Sequence, residues 1–292
     1  MMIAFLGFGE AARAFRDSLA AHDPALRFVA YDILLDDAGA QGSMRQAMES
    51  RDVAVASDCA GLAEADWIIS AVTADQSLNA IRSLAPHLVR GRLIIDVNSV
   101  SPGRKRESAM LVERAGCAYL DMAVMAPVQP RGHRTPVLLA GPAVDRVRAE
   151  LDRLGFAYSV AGAEVGRATA IKMVRSLFVK GLEAITVETL LAARASGCLD
   201  EIVASLSTSY PGLDWPGFAA YQFERTLVHG KRRAAEMRES AATVADLGLA
   251  GRLADAIADV QDAMGRTGAR PVDDDLAATI AATLSARRGS GR

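Results

Sequence analysis

One apolar stretch carries side chains that could do chemistry together. In "GRATAIKMVRSLFVKGLEAITVETLLAARASG", Lys172, Arg175, Ser176, Val179 and Lys180 recur at i, i+3, i+4, i+7 and i+8. That spacing places them on one face of a helix. The flanking runs "AIKMV" and "SLFV" read as buried faces, and lysine is almost never buried without a purpose. Partial burial and the neighbouring Arg175 would both favour the neutral amine and so suit Lys172 to proton transfer. Lys172 is a candidate general acid/base, with Ser176 as a hydroxyl able to position the same substrate oxygen. The competing reading is a solvated stripe on a surface helix.

A second group sits at the N-terminus. "MMIAFLGFGEAARAFRDSLA" runs from an apolar strand through Gly7-Phe8-Gly9-Glu10-Ala11-Ala12 into a helical pattern. Gly7 permits a tight turn, Gly9 lets backbone approach a pyrophosphate, and Ala12 allows close helix–sheet packing. The helix N-terminus adds free N–H groups and a positive dipole. Asp32 closes the next strand, "RFVAYD", where a carboxylate can accept hydrogen bonds from ribose hydroxyls and repel a 2′-phosphate. No arginine follows it in "YDILLDD", so NAD is favoured, with NADP as the alternative. Glu10 is unusual beside phosphates and is expected to point outward.

These residues need a scaffold that brings them together. Up to about residue 160, short apolar runs ("MIAFLG", "RFVAYD", "WIISAV", "RLIIDV", "AYLDMAV", "PVLLAG", "FAYSV") alternate with amphipathic stretches. Such alternation implies βαβ units and a largely parallel sheet. Thr73-Ala-Asp-Gln76 has the form of a capping box, and Ser101-Pro102 sets a cap residue before a first-turn proline. After Gly166 the strand signal ends. One long helix is predicted up to Gly197, then helices near 217–247 and 250–264, with "TSYPGLDWPG" as a loop and "RRGSGR" as a disordered tail. The expected fold is α/β: a doubly wound Rossmann-type dinucleotide domain over 1–162, then an all-helical substrate and dimerisation domain over 163–292.

Bulk properties narrow the classes. The 292 residues are 51% hydrophobic with a formal charge of −2, which gives no sign of nucleic acid as a partner. No uncharged run is long enough to span a bilayer, and the N-terminus lacks the order of a signal peptide. Cys59, Cys117 and Cys198 lie far apart without metal-type spacing. They read as buried hydrophobes in a reduced, cytoplasmic protein. No metal site is evident. Asp273-Asp274-Asp275 fits a helix N-terminus.

Four segments in order carry a resemblance: "GFGEAA", "DVNSVSP" (96–102), "DMAVMAP" (121–127) and "GRATAIKMVRS" (166–176). The chain resembles the β-hydroxyacid dehydrogenase family, which includes 3-hydroxyisobutyrate and 6-phosphogluconate dehydrogenases, in a divergent branch. The resemblance implies an NAD(P)-dependent oxidoreductase acting on a small, anionic hydroxy acid, with Lys172 as acid/base and a homodimer as the assembly. It implies that Val72, Thr73, Asn98 and Ser99 join the glycine turn at the cofactor.

The chain also departs from the family. Where the family has Ser-Gly-Gly to hold a carboxylate, this chain has Met125, Ala126 and Pro127, so the anion grip is absent or rebuilt. Arg131 in "QPRGHRTP", beside His133 and Arg134, is the candidate replacement, and Arg175 is a second guanidinium near the lysine. Ser176 stands where the family has asparagine, Ala168 where it has glycine, and Val179 where the decarboxylating members have a glutamate. In "VHGKRRAAEMRE", one of His229, Lys231, Arg232 or Arg233 could bind an anion, although a solvated face is the plainer reading. Two alternatives stay open: an imine reductase-like enzyme, and a non-catalytic NAD(H)-binding sensor.

Overall fold

The computed structural model describes residues 1–273 and 275–289. The chain forms two compact units, Met1–Met173 and Val174–Arg292.

The first unit is built on an eight-stranded sheet: β1 Met2–Leu6, β2 Arg27–Tyr31, β3 Val53–Val55, β4 Trp67–Ser70, β5 Leu93–Asp96, β6 Ala118–Val124, β7 Val137–Ala140 and β8 Tyr158–Gly162. Their order is β3-β2-β1-β4-β5-β6-β7-β8. Every pairing is parallel except β6 with β7. β3 is absent from the sequence reading because "VAV" is too short to show a period. Alternate strand residues point to opposite faces. Ile3, Phe5, Ile69 and Ile95 pack under α1 (Glu10–His22), α2 (Gln41–Glu49) and α5 (Val144–Arg153). Ala4, Leu6, Ile68 and Ile94 pack under α3 (Ser77–Leu84) and α4 (Pro102–Arg114). This is the doubly wound arrangement expected.

The second unit is helical: α6 (Arg167–Ser196), which begins in the first unit, α7 (Leu199–Ser209), α8 (Trp215–Asp246), α9 (Arg252–Arg266) and α10 (Leu276–Gly289). The sequence division at 162/163 precedes α6, whereas the compact units divide inside it. The first turns of α6 belong with the sheet because Ala168 packs on Ala123 and Ala140. Gly197 stops α6 at φ +74°. α7 and α10 are additions to the sequence reading. α7 buries no residue fully. Arg287 and Arg288 are the end of α10 rather than tail, and 290–292 lie outside the described residues. Asp275 caps α10 by accepting from the Ala278 N–H at 2.8 Å, while Asp274 lies outside the described residues.

Val187, Leu190, Phe223, Leu227, Met264 and Ile280 form the centre of the helical core. α8 and α9 touch backbone to backbone at Gly230 and Gly265, where a Cβ on Gly230 would sit 2.3 Å from the Gln261 carbonyl. Buried ion pairs join the described helices. Lys180 Nζ lies 2.9 Å from Glu236 Oε2, and Arg233 binds Glu183 through both its Nε and Nη2. Lys180 and Arg233 are therefore structural cations rather than solvated or anion-binding ones, while Lys231 and Arg232 are exposed. Tyr210 and Trp215 pack on each other with ring centroids 6.2 Å apart.

The flanks of the lysine stripe differ from the expectation of burial on several sides. Val174, Phe178 and Ile185 on α6 are exposed, Phe178 by 69%. No described helix is long and apolar enough to cross a membrane.

Candidate active site

Strand register assembles the site. Leu6 pairs with Ser70, Ser70 with Asp96, and Asp96 with Asp121, so one row crosses four strands near the carboxyl edge of the sheet. The loops leaving β1, β4 and β5 therefore emerge side by side. The chain turns from β1 to β2 on one side and reaches β4 on the other, which is the topological switch where ligands of such sheets bind.

Gly7 takes φ +88°, and a Cβ there would lie 2.7 Å from both the Ala71 carbonyl and Val72 Cγ1. Gly9 is the opposite case: it is exposed, and a Cβ would meet nothing within 4 Å. Ala12 is buried against the sheet. A turn that is closed at Gly7, open at Gly9 and packed at Ala12 fits a pyrophosphate at the start of α1. Glu10, the first residue of α1, is exposed, as expected. Asp32 accepts from the Phe8 N–H at 2.7 Å and from the Leu34 N–H at 3.0 Å. Each carboxylate oxygen keeps a lone pair for a ribose hydroxyl.

Turn geometry predicts a separation of effects. Gly9→Val should cost about 1 kcal/mol of stability at most, through the poorer helix cap, yet weaken NADH binding by about tenfold or more, or 1.4 kcal/mol. Thermal melts and NADH fluorescence titration measure the two. Unchanged affinity would remove the dinucleotide from this turn.

Asn98 ties the neighbouring loops. Its Oδ1 accepts from the Val72 N–H at 2.7 Å, and its Nδ2 donates to Ser70 Oγ at 2.9 Å and Ser77 Oγ at 3.3 Å. Its side chain is thereby committed to holding β4 and β5 loops in place. Ser101 caps α4 as expected, accepting from the Arg104 N–H at 3.4 Å. The capping box at Thr73 does not form. The Thr73 hydroxyl meets Asp75 and helps hold that carboxyl below its usual range, and α3 starts only at Ser77.

Lys172 is half-buried and donates from Nζ to Ser99 Oγ at 2.6 Å. The structure thus joins Lys172 to the β5 loop that carries Asn98. Ser176, one turn further along α6, is buried, and Arg175 is exposed.

The 125–134 segment behaves differently. Met125 packs beside Ala123, Ala140 and Ala168, and its N–H donates to the Pro136 carbonyl at 2.9 Å, so it offers no free donor to an anion. Ala126 is half-buried. The Arg131 loop lies on the second half of α1. Ser18 lies about 12 Å along the axis from the phosphate-facing end of α1. It donates to His133 Nδ1 at 2.6 Å, and Arg134 Nη2 donates to His22 Nδ1 at 3.2 Å. His133 is fully buried and donates from Nε2 to the Leu154 carbonyl at 2.8 Å. Burial holds it below the usual imidazole range. The contacts of Arg131 and His133 are thus with α1 and α5, not with Lys172.

A further group escaped the sequence reading. Lys105, Asp96, Tyr119 and Asp121 are buried together behind the site. Burial first, then the Asp96 carboxylate, pushes the Tyr119 phenol well up, and burial pushes Asp121 up against the opposing pull of Lys105. The available signal was an acid inside the apolar runs "RLIIDV" and "AYLDMAV", which demands a buried partner. Among the described residues, no group of three or more His, Cys, Asp or Glu side chains could hold a metal ion.

Residues 3–155 match the NAD binding domain of 6-phosphogluconate dehydrogenase, and residues 193–264 match a domain of unknown function, DUF1932. With that fold and this glycine turn, the chain belongs to the β-hydroxyacid dehydrogenase family, in a divergent branch that carries the DUF1932 domain. A conserved hypothetical protein from Sinorhizobium meliloti 1021 is 33% identical, with 98% of this chain and 96% of that one covered and a TM-score of 0.72. A 28.5 kDa protein of Methanothermus fervidus is 27% identical over 174 residues, 60% of this chain. That match spans 66% of the relative, just under two thirds of its length. The 3-hydroxyisobutyrate dehydrogenase of Mycobacterium tuberculosis, solved with L-serine, shares the fold at 20% identity, covering 96% of this chain and 98% of that one with a TM-score of 0.69. Imine reductases share the fold as well.

Proposed function

We propose that this chain is a nicotinamide-dependent oxidoreductase that transfers a hydride between NAD(P) and a small, anionic hydroxy acid, with Lys172 as general acid/base. The observation that carries this reading is the 2.6 Å contact from Lys172 Nζ to Ser99 Oγ, on the loop next to the glycine turn. The bound dinucleotide supplies the hydride donor or acceptor. The turn into α1, from Gly7 to Ala12, holds its phosphates and Asp32 its ribose, with Val72, Thr73 and Ser99 along the rest and the backbone of Asn98 beside them, its side chain keeping these loops in place. Ser99 aligns the Lys172 amine. A substrate hydroxyl at the same reach gives its proton to Nζ on oxidation and receives one on reduction. Ser176 positions that oxygen, and Arg175 grips the carboxylate. Met125 and Ala126 give an apolar wall. Arg131, held on the far half of α1, is left out of the assignment. Asp32 supports NAD over NADP, since its carboxylate repels a 2′-phosphate.

The exposed apolar stripe of Val174, Phe178 and Ile185 supports a homodimer, to be tested by sedimentation as a species of twice the chain mass. The free thiols of Cys59, Cys117 and Cys198 support a reduced, cytoplasmic setting.

The decisive experiment is a ligand screen by thermal shift with NADH or NADPH present, followed by nicotinamide absorbance on each hit. A ligand at a hundred times its Kd stabilises the fold by about 2.7 kcal/mol. Hydroxy or keto acids should stabilise and turn over with NADH. Turnover of cyclic imines alone would replace this reading with imine reduction. Tight NADH binding without turnover of any compound would leave a sensor.

A further inference from the structure

We propose that Lys105, acting through Asp121 and Asp96, is a positioning residue that sets the Lys172–Ser99 pair. Its consequence for turnover rests on the proposed role of Lys172; its geometry does not.

Lys105 lies on α4 with its side chain wholly buried. Its Nζ donates to Asp96 Oδ1 at 2.8 Å and to the Asp96 carbonyl at 2.6 Å, and lies 3.5 Å from Asp121 Oδ1. Two routes leave this one ammonium. Along the first, Asp96 Oδ1 accepts from the Asn98 N–H at 2.9 Å, while Oδ2 accepts from the Tyr119 hydroxyl at 2.6 Å. This fixes the segment that runs directly into Ser99. Along the second, Asp121 Oδ2 accepts from the Gly166 and Thr169 N–H groups, both at 3.1 Å. These are donors at the start of α6 that no helical carbonyl can serve. Lys172 follows Thr169 by three residues. The Thr169 hydroxyl also donates to the Val100 carbonyl at 3.2 Å, a cross-tie between the routes. They meet again at the Lys172–Ser99 contact.

The ammonium is required by charge. Asp96 and Asp121 are register neighbours on adjacent strands, both buried. Two buried carboxylates side by side cannot both stay ionised without a cation between them. Lys105 faces both carboxylates, and charge-assisted hydrogen bonds are the stronger kind. Without it, one carboxyl takes up a proton and loosens either the Asn98 loop or the α6 N-terminus. As a source of stability such a cluster is poor, since well-packed apolar residues often do as well. Moreover, Asp121 Oδ1 makes no hydrogen bond and has only the ion pair. As a means of fixing two backbone segments relative to each other, every remaining oxygen is aimed.

The test uses the full chain with Lys105→Met and, because that variant leaves two buried carboxylates, Asp121→Asn, which keeps shape and an accepting oxygen. Trace acetylation of amines across pH, read at each lysine by mass spectrometry, reports the ionisation and reactivity of Lys172. Exposed Lys231 is the internal control. The midpoint at Lys172 should move by about half a unit, a threefold change in its ionisation constant, while Lys231 stays put and Asp121→Asn still binds NADH. A Lys172 profile superimposable on the parent in either folded variant overturns the proposal. Loss of folding in both also overturns it, by assigning the cluster to the core alone. If Lys172→Met keeps its turnover while the labelling shift is seen, the proposed reaction fails and the positioning stands.

Discussion

Lys172→Met should lower turnover of a hydroxy acid by about a thousandfold, the middle of the range for losing a general acid/base. That corresponds to about 4 kcal/mol of transition-state stabilisation. NADH affinity should stay within about threefold, because the proposed phosphate and ribose contacts lie at the start of α1 and at Asp32 rather than at this amine. Methionine keeps the length and apolar stem, so the packing of the first turn of α6 at Ala168 is retained. The Nζ–Ser99 bond of 2.6 Å is lost. The loss should fall on kcat and kcat/KM alike, the signature of an interaction made in the transition state. Turnover within tenfold of the parent would end the lysine mechanism and leave a dinucleotide-binding protein whose proton route lies elsewhere.

Arg233→Met should be the most damaging single change in the helical unit. Glu183 on α6 is almost wholly buried. It receives the Arg233 Nε at 2.7 Å together with its Nη2, and Gln261 Nε2 from α9 at 2.8 Å. Three helices thus converge on one carboxylate. Removing the guanidinium leaves an uncompensated buried charge, which costs about 3–5 kcal/mol. A second substitution, Glu183→Leu, should restore most of that loss, since a buried pair replaced by apolar groups is often neutral. Denaturant melts of the two single variants and the double variant form the cycle that checks it. If Arg233→Met alone costs less than about 1 kcal/mol, the typical effect of a point change, the pair contributes no more than an exposed one. The basic run at 229–233 would then need a different account.

Periodicity and turn chemistry were legible in the residues. "MIAFLGFGEAA" carried its strand, turn and helix because the constraint at Gly7 is local: a φ of +88° with no room for a Cβ. The capped start at Ser101-Pro102 and the stop at Gly197 are local in the same way. Lys172 stands out in the sequence because it lies on an apolar helix at helical spacing from Ser176. The faces beside it were misjudged, because a helix pattern says which residues share a side and not what covers that side. Val174, Phe178 and Ile185 are exposed.

What the chain determined by itself was the kind of element its longer periodic segments form and the dinucleotide turn at the end of the first strand, since both depend on neighbours a few positions away. Tertiary structure alone decided which charges meet. Lys180 and Arg233 went to Glu236 and Glu183, Lys105 went between Asp96 and Asp121, His133 was buried against α1, and Lys172 met Ser99. A charged side chain is placed by the partner that offsets its desolvation. That partner lies across the fold, at a distance along the chain that no local pattern encodes.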